Sequence, residues 1–399
     1  MKKKLALILA AIMLSGCGNQ PAETTASTTA ATTAATTETT TAKTETEILE
    51  QTTVETTTSA PETTAETTTT TAETTAETTA ETTAETTAET TAATTAQPVS
   101  DDGEYSVIGE NGILVTKIDG HYWGLMPCWG TYGLCDSYTA AVNDFAEKLP
   151  DVKVYNMTIP TSSEFYLPEG NEGFTSSQKN KIDYIAENLK NVTNVNVYDT
   201  LNEHKDEHIF SRTDHHWQPL GAYYAAKEFA AAAETDFPDL DDYKEVTCGG
   251  YVGSMYFYSK DSHLYYDPED FTMYIPKGET STTYYDCSFK NGYESNLFVS
   301  PDGSGYYCSF LGSDDRIAKI ETDCDNGRTL VIFKESYGNA LAPFLTNSFS
   351  TIYVCDIRYF YLNAVQFCKD VGATDLLFAC CTYTPAGSNG NYVKIIKNQ

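Results

Sequence analysis

Hydrophobic and polar positions follow two different periods along residues 101–399. Apolar residues at helical spacing predict helices at 137–149, Ser176–Lys190, Pro219–Ala233, Gly338–Phe349 and Leu362–Val371. Short β-branched or apolar runs predict strands at Val152–Ile159, Asn194–Tyr198, Thr329–Phe333, Thr351–Cys355 and Asp375–Cys380, and alternation at 113–126 predicts a hairpin. Because strands alternate with helices, the predicted fold class is α/β, with a parallel sheet covered by helices on both faces.

Residues 241–328 interrupt this rhythm. They are rich in Tyr, Gly and Asp, and their strand-like pieces include Met255–Tyr258 and Phe271–Ile275. We therefore expect a β-rich insertion between two parts of the α/β core. Its tyrosines could line a sugar cleft or simply pack within strands, and the pattern leaves both readings open.

The first hundred residues have a different composition. Residues 18–100 are almost only Thr, Ala and Glu, so they lack the apolar surface that offsets chain entropy, and we expect a disordered linker. Before them, three lysines and an apolar run end in Ser15, Gly16 and Cys17, which resembles a bacterial lipobox. That resemblance implies a signal peptide at 1–16, a lipidated Cys17, and a membrane-anchored lipoprotein on the outer face of the cell membrane. An ordinary signal peptide is the alternative.

Charge narrows the classes of partner. The formal net charge is −31, and residues 101–399 alone carry 43 acidic and 21 basic side chains. Such a domain repels phosphate backbones and anionic lipid headgroups. Nucleic-acid binding is therefore not expected, and membrane contact would have to be covalent or hydrophobic.

Two segments carry candidate chemistry. After the strand at Thr329–Phe333 the chain turns through Ser336 into a predicted helix, where free backbone N–H groups can stabilise an oxyanion, although Ser336 could also be only a helix cap. The second segment contains Asp214 and His216, two positions apart, so that both can face one cleft from an extended loop. A serine hydroxyl needs such a base, and the base needs an orienting carboxylate.

The sequence Asp-His-His-Trp at 214–217, continued by 218–223, resembles the DHHW family of exported bacterial proteins. It is also similar to the D-x-H-W block of alginate O-acetylation proteins, which have an SGNH-hydrolase-like domain. Weaker similarity continues at 159–161, 334–340, 343–344 and 356–359. The resemblance implies an SGNH-hydrolase-like (flavodoxin-like) fold over about 105–399, with Ser336 as nucleophile, His216 as general base and Asp214 as its orienting group.

Further residues are candidates for contact with the substrate or the oxyanion: Thr161, His215, Trp217, Tyr337, Asn339 and Arg358. Thr161 could line the site or cap the next turn. Asn339 could bind the oxyanion or cap the first helical turn. Arg358 could pair with Asp356 or hold a substrate carboxylate.

Other segments also contain residues that could carry chemistry. The segment His204–His208 fits the H-x-x-E-H zinc pattern, but that pattern needs a helix, and this segment has no apolar stripe. Ser313 and Ser254 rank below Ser336, because neither follows an apolar strand. No metal or other cofactor is expected. Bridges between Cys128 and Cys135, or among Cys248, Cys287, Cys308 and Cys324, are possible.

The leading hypothesis is an extracytoplasmic O-acetyltransferase or acetylesterase that acts on cell-surface polysaccharide hydroxyls through an acyl-serine intermediate. If it is a transferase, the resemblance implies a membrane O-acyltransferase as the acetyl donor. The alternative is a non-catalytic, carbohydrate-binding lipoprotein with the same fold, and a zinc hydrolase is a distant third.

Overall fold

The computed structural model describes residues 105–299 and 305–399. The predicted signal peptide at 1–16, the lipidation site Cys17, the linker at 17–100 and residues 101–104 lie outside the described residues. Within the described ranges, no helix has the length and apolar character needed to cross a membrane.

The strands form one large sheet and two small ones. The strands are β1 Ser106–Ile108, β2 Leu114–Ile118, β3 His121–Leu125, β4 Lys153–Ile159, β5 Thr193–Asn194, β6 Lys244–Tyr251, β7 Glu269–Ile275, β8 Thr280–Tyr285, β9 Tyr293–Ser295, β10 Ile317–Thr322, β11 Thr329–Lys334, β12 Thr351–Asp356 and β13 Asp375–Cys381. The large sheet has the order β5-β4-β13-β11-β12-β10-β8-β9. Strands β5, β4, β13, β11 and β12 are parallel to their neighbours in this run, whereas β10, β8 and β9 pair antiparallel. The predicted α/β class is confirmed.

Helices cover both faces of this sheet. They are α1 Tyr132–Lys148, α2 Ser162–Phe165, α3 Lys179–Asn188, α4 Tyr198–Glu203, α5 Pro219–Ala233, α6 Ser254–Ser259, α7 Ser262–Tyr266, α8 Ala364–Asp370 and α9 Gly390–Asn398. Leu330 and Ile332 of β11 join the core beneath α5, while Val331 and Phe333 join the core beneath α1, α8 and α9. Successive side chains of a strand point to opposite faces, so a continuous apolar run serves both cores.

The predicted insertion does not form a separate domain. Its strands β8, β9 and β10 extend the large sheet, and β6 and β7 form a two-stranded sheet beside it. The prediction of a strand at Met255–Tyr258 is wrong, because these residues belong to helix α6. Met255 and Ser259 are buried there at helical spacing, so packing overrides the β propensity of the aromatic residues between them. The strand expected at Phe271–Ile275 is part of β7.

Two other elements differ from prediction. The helix expected at Gly338–Phe349 is two 3-10 turns, Ser336–Ala340 and Ala342–Leu345, since Pro343 cannot continue an α-helix. The strand expected at Asn194–Tyr198 ends at Asn194, because the side chain of Asn196 accepts a hydrogen bond from the Tyr198 N–H and turns the chain into α4.

The sequence allowed a disulfide bridge between Cys128 and Cys135, and this bridge does not form. Both are buried free thiols, and Cys248, Cys287 and Cys324 are also free. Buried thiols of this kind pack as small apolar groups.

Candidate active site

Ser336 lies at the carboxyl edge of the parallel sheet, one residue after Glu335, which follows the last residue of β11. The chain turns immediately into the 3-10 helix Ser336–Ala340. Gly338 permits this turn, because a Cβ there would lie 2.4 Å from the Cβ of Lys334. In open parallel sheets, ligands gather at this edge.

Asp214 and His216 lie on a short loop that is closed at both ends. Phe210 and Trp217 form an antiparallel bridge, and the Gln218 N–H donates to the Ile209 carbonyl at 3.0 Å. The bridge forces the six residues between its ends into a tight loop. Pro219 then begins α5, as its fixed φ favours.

The structure brings together the three residues predicted to act as a unit. His216 Nε2 lies 2.8 Å from Ser336 Oγ, and His216 Nδ1 lies 2.6 Å from Asp214 Oδ1. An ionised carboxylate only accepts hydrogen bonds, so Asp214 places the imidazole proton on Nδ1 and leaves Nε2 free to accept from the serine hydroxyl. This is the order of contacts that a Ser-His-Asp relay requires.

The electrostatics of the site favour this protonation pattern. Burial alone would raise the pKa of Asp214, but His216, His215 and the Ser254 N–H hold that pKa well below its ordinary value. Burial and the neighbouring His216 lower the pKa of His215 to about 3, so this second imidazole is neutral near pH 7. Asp214 is therefore ionised, and it is the only anion in contact with His216 Nδ1 among the described hydrogen bonds.

The insertion holds Asp214 from the side opposite His216. The Ser254 N–H donates to Asp214 Oδ2 at 2.8 Å. Gly253 allows this approach, since a Cβ at that position would lie 2.4 Å from Asp214 Oδ2. Both oxygens of the carboxylate are thus fixed, which sets the orientation that Asp214 gives to His216.

Tyr307, also from the insertion, contacts both the base and the nucleophile segment. Its ring stacks on the His216 imidazole at a centroid distance of 3.7 Å and an interplanar angle of 4°. Its hydroxyl donates to the carbonyls of Ser336 and Tyr337, each at 2.9 Å. Burial raises the pKa of Tyr307 well above its ordinary value, so the hydroxyl keeps its proton.

Glu269, at the start of β7, accepts hydrogen bonds from both ends of the loop that carries Asp214 and His216, called the catalytic loop. Its side chain is 1% exposed, and it accepts hydrogen bonds from the N–H groups of Arg212 and Thr213 at 3.0 and 2.7 Å. It also accepts from the Thr213 hydroxyl and the Gln218 side chain, and it lies 2.9 Å from His208 Nε2. One carboxylate therefore fixes the chain on both sides of residues 214–217.

Beneath Ser336 lies a buried, charge-balanced cluster formed by Asp314, Lys334, Asp356 and Arg358. Lys334 Nζ lies 3.0 Å from both carboxylates. Arg358 also pairs with both carboxylates, at 2.7 and 2.8 Å. Of the two roles considered for Arg358, the structure therefore shows the pairing with Asp356.

Asn339 lies next to this cluster. Its amide Nδ2 donates to Asp314 at 2.8 Å, whereas its buried Oδ1 has no partner among the described atoms. One of the two amide hydrogens of Asn339 is engaged with Asp314, so Asn339 supports the Ser336 turn, and its contact with an oxyanion stays a prediction.

Three other candidates have side chains that hydrogen-bond within the fold. Trp217 and Tyr337 are fully buried, and the Trp217 Nε1–H donates to the Tyr337 carbonyl at 3.1 Å. The Tyr337 hydroxyl donates to the His215 carbonyl, and its N–H donates to Glu335. Thr161 hydrogen-bonds with Gln178 and Ser163 rather than with the triad. The side chains of Trp217 and Tyr337 thus anchor the loop internally, and their contact with a substrate stays a prediction.

The rival sites differ in how far the structure supports them. The segment from His204 to His208 is not helical, and its histidines pair separately with Glu207 and Glu269. Ser313 bonds to Asp315 and has no histidine partner among its described contacts. Ser254 Oγ, however, lies 2.6 Å from His215 Nδ1, which makes it the stronger rival nucleophile.

The side chains of Asp214, His215 and His216 also lie close enough to one another to hold a metal ion. In the arrangement described, Asp214 Oδ1 and His216 Nδ1 are hydrogen-bonded to each other, and His216 Nε2 faces Ser336. A cation bound by these atoms would have to break that pair, so the contacts fit a proton relay better than a metal centre.

Residues 128–355 match the family described as DHHW protein. The chain is also 46% identical to a DHHW family protein from Eubacterium siraeum, with a TM-score of 0.70 and coverage of 73% of this chain and 98% of that one. The chain belongs to the DHHW family. No curated protein matches it.

A more distant structure shares the fold of this DHHW protein. Bacillus cereus PatB1, determined with a sulfonyl adduct, is 17% identical, with a TM-score of 0.58 and coverage of 69% of this chain and 96% of that one. The O-acetyltransferase domain of Pseudomonas putida AlgJ is 16% identical, with a TM-score of 0.41 and coverage of 74% and 99%, too loose a likeness for further argument. The fold is thus SGNH-hydrolase-like, as the sequence resemblance implied.

Proposed function

We propose that this DHHW protein is an extracytoplasmic serine enzyme that moves acetyl groups on or off the hydroxyls of a cell-surface polysaccharide. The observation that carries the proposal is the continuous contact from Ser336 Oγ through His216 to Asp214, at 2.8 and 2.6 Å. These distances are those expected between a nucleophile, its base and the group that orients the base.

The reaction then has two steps. Ser336 Oγ attacks the acetyl carbonyl carbon, His216 Nε2 takes the hydroxyl proton, and the bond from the acyl carbon to the donor's oxygen breaks as the proton passes to that oxygen. In the second step a sugar hydroxyl or water attacks the acetyl-serine, His216 accepts its proton, and Ser336 Oγ leaves with that proton restored. Asp214 stabilises the imidazolium in both steps.

The burial of the triad favours acyl chemistry over simple binding. Ser336, His216 and Asp214 expose 6, 3 and 5% of their surfaces. Water is largely excluded, which strengthens the hydrogen bonds to charged species. The fold shared with PatB1, whose structure carries a sulfonyl adduct, makes a sulfonyl fluoride a suitable probe of Ser336.

The location and partners are part of the same proposal. The lipobox-like ending at Cys17 supports a lipid anchor on the outer face of the membrane, and the low-complexity linker would carry the domain away from that surface. A membrane O-acyltransferase as acetyl donor is supported by the family resemblance. Loss of [³H]palmitate incorporation in Cys17→Ala would support the anchor, and retained incorporation would contradict it.

The proposal is tested with a chromogenic acetate ester and the full-length protein. Hydrolysis should be present in the wild type and fall by about 10³-fold or more in Ser336→Ala and in His216→Ala. Activity retained in Ser336→Ala would refute the assignment, and no activity in the wild type would favour the non-catalytic alternative. If chelation abolishes activity and zinc restores it, the reaction uses a metal instead. Formation of acetylated oligosaccharide in competition with hydrolysis would identify a transferase.

A further inference from the structure

A cleft of about 760 Å³ lies against the polypeptide stretch that leads into the catalytic loop. This volume falls within the range of roughly 300–1,000 Å³ that is usual for ligand sites. Arg212 and Glu269 both line the cleft, and Glu269 also accepts the hydrogen bonds of the Arg212 and Thr213 amides. Asp214 follows Thr213 directly in the chain. The residues that line the cleft therefore also hold the loop that carries Asp214.

Trp123 and Tyr166 form an aromatic part of the cleft wall. Their rings stack at a centroid distance of 4.4 Å and an interplanar angle of 27°. The Tyr166 hydroxyl donates to the Lys205 carbonyl at 2.6 Å, which fixes its ring. Both side chains are half-buried, so they offer a rigid aromatic surface that remains open to solvent. The C–H face of a pyranose ring packs well on such a surface.

The polar lining of the cleft is predominantly acidic. Its acidic residues are Asp119, Asp206, Glu207, Glu269 and Asp270, and its Lys and Arg residues are Lys205 and Arg212. The Arg212 guanidinium is already bound to Asp267 and to the carbonyls of Tyr122 and Pro268. Anionic ligands are therefore repelled, whereas the exposed carboxylates can accept hydrogen bonds from hydroxyl groups.

We propose that this cleft is a binding subsite for the pyranose units of a non-anionic polysaccharide. Trp123 packs against a sugar face, and Asp206 and Asp270 accept hydrogen bonds from its hydroxyls. The bound chain then lies along the loop that carries Asp214. This inference rests on the proposed function, because that function makes a polysaccharide the substrate, and it locates where the chain is held outside the triad itself.

Binding is measured by calorimetry on full-length Ser336→Ala protein, which cannot form an acyl-serine. The probes are cellotetraose, chitotetraose and mannotetraose, with tetragalacturonic acid as the anionic probe. At least one neutral tetrasaccharide should bind saturably, and Trp123→Ala should weaken that affinity about tenfold or more. Trp129→Ala is the matched control, since Trp129 is 40% exposed and does not line the cleft, and it should bind normally.

A second variant keeps the binding test decisive if the Trp123→Ala protein does not fold. Asp206→Asn combined with Asp270→Asn changes two exposed side chains and should also weaken binding severalfold. The proposal is overturned if no neutral probe binds, if tetragalacturonic acid binds most tightly, or if affinity survives both variants. Sugar binding to the Ser336→Ala protein reports on the cleft alone, and ester hydrolysis by the wild type reports on the serine chemistry alone, so failure of the cleft and failure of the serine chemistry give different results.

Discussion

The insertion, residues 241–328, supplies none of the three residues Ser336, His216 and Asp214. The flanking α/β core supplies all three. The insertion instead supplies supporting groups. Ser254 donates to Asp214, and Tyr307 contacts His216 and the Ser336 carbonyl. Glu269 and Asp314 bind chain neighbours of the three residues rather than the residues themselves. The core therefore provides the reacting atoms, and the insertion holds them in place. A segment without a recognisable motif, such as the insertion, can therefore determine the geometry of a site.

The largest effect should come from the core. Asp214→Asn removes the anion that fixes the proton on His216 Nδ1, so kcat for ester hydrolysis should fall by about 10⁴-fold with the fold retained. Steady-state kinetics and circular dichroism check this. Asp183→Asn, which changes a half-exposed carboxylate on α3, is the control and should be neutral. A loss of less than tenfold in Asp214→Asn would contradict the relay.

The next effect concerns stability and belongs to the insertion. Asp314→Asn leaves Lys334 and Arg358 with one buried carboxylate instead of two, which should lower the free energy of unfolding by about 3–5 kcal/mol. Asp315→Asn, at the neighbouring exposed position, is the control and should change it little. Denaturant unfolding measures both, and equal stabilities would show that the cluster is dispensable.

The pH dependence of that stability has a defined sign. Burial alone would raise the pKa of Asp314, but Lys334 and Arg358 hold it below the ordinary value. Asp314 therefore contributes its full stability above about pH 4 and loses it as the pH falls further. The difference between wild type and Asp314→Asn should shrink in acid, and a constant difference would contradict this account.

Glu269→Gln tests whether the insertion positions the catalytic loop. A glutamine amide presents donor hydrogens where the Arg212 and Thr213 N–H groups need an acceptor. We expect kcat to fall by about 10- to 100-fold with KM for a small ester nearly unchanged, because the loop shifts relative to Ser336. Glu245→Gln on the exposed side of β6 should behave as wild type. Unaltered kcat in Glu269→Gln would remove the positioning role.

Tyr307 offers the smallest and most selective test. Tyr307→Phe keeps the ring over His216, whereas Tyr307→Leu removes it. An aromatic face stabilises an imidazolium by about 0.5–2 kcal/mol, so the leucine variant should lose about 2- to 30-fold in kcat/KM. The phenylalanine variant should keep the wild-type kcat/KM, and equal kcat/KM in all three proteins would show that the ring only packs.

Much of the core could be predicted from the sequence. Pro219–Ala233 was predicted with its exact bounds, because a proline begins the helix and alanine continues it. Strand β11, which leads to Ser336, contains an apolar run whose burial on two faces leaves a clear pattern. Residues 214–217 stood out because two adjacent histidines follow an aspartate.

The supporting groups could not be predicted in the same way. Glu269 is one of many acidic residues, and nothing local distinguishes a carboxylate that binds a loop 56 positions away. Tyr307 likewise is one of 28 tyrosines. Their roles arise only from long-range packing, which also explains why the segment Met255–Tyr258 was predicted as a strand but forms a helix.

The central claim is that Ser336 is the nucleophile. Its most direct test is reaction of the full-length protein with phenylmethanesulfonyl fluoride, followed by peptide mass spectrometry. We expect one sulfonyl group on Ser336 of the wild type. The His216→Ala protein should be labelled little, and the Trp129→Ala protein should carry its label on Ser336 as the wild type does. A label on Ser254 or Ser313, or equal labelling in Ser336→Ala, would contradict it.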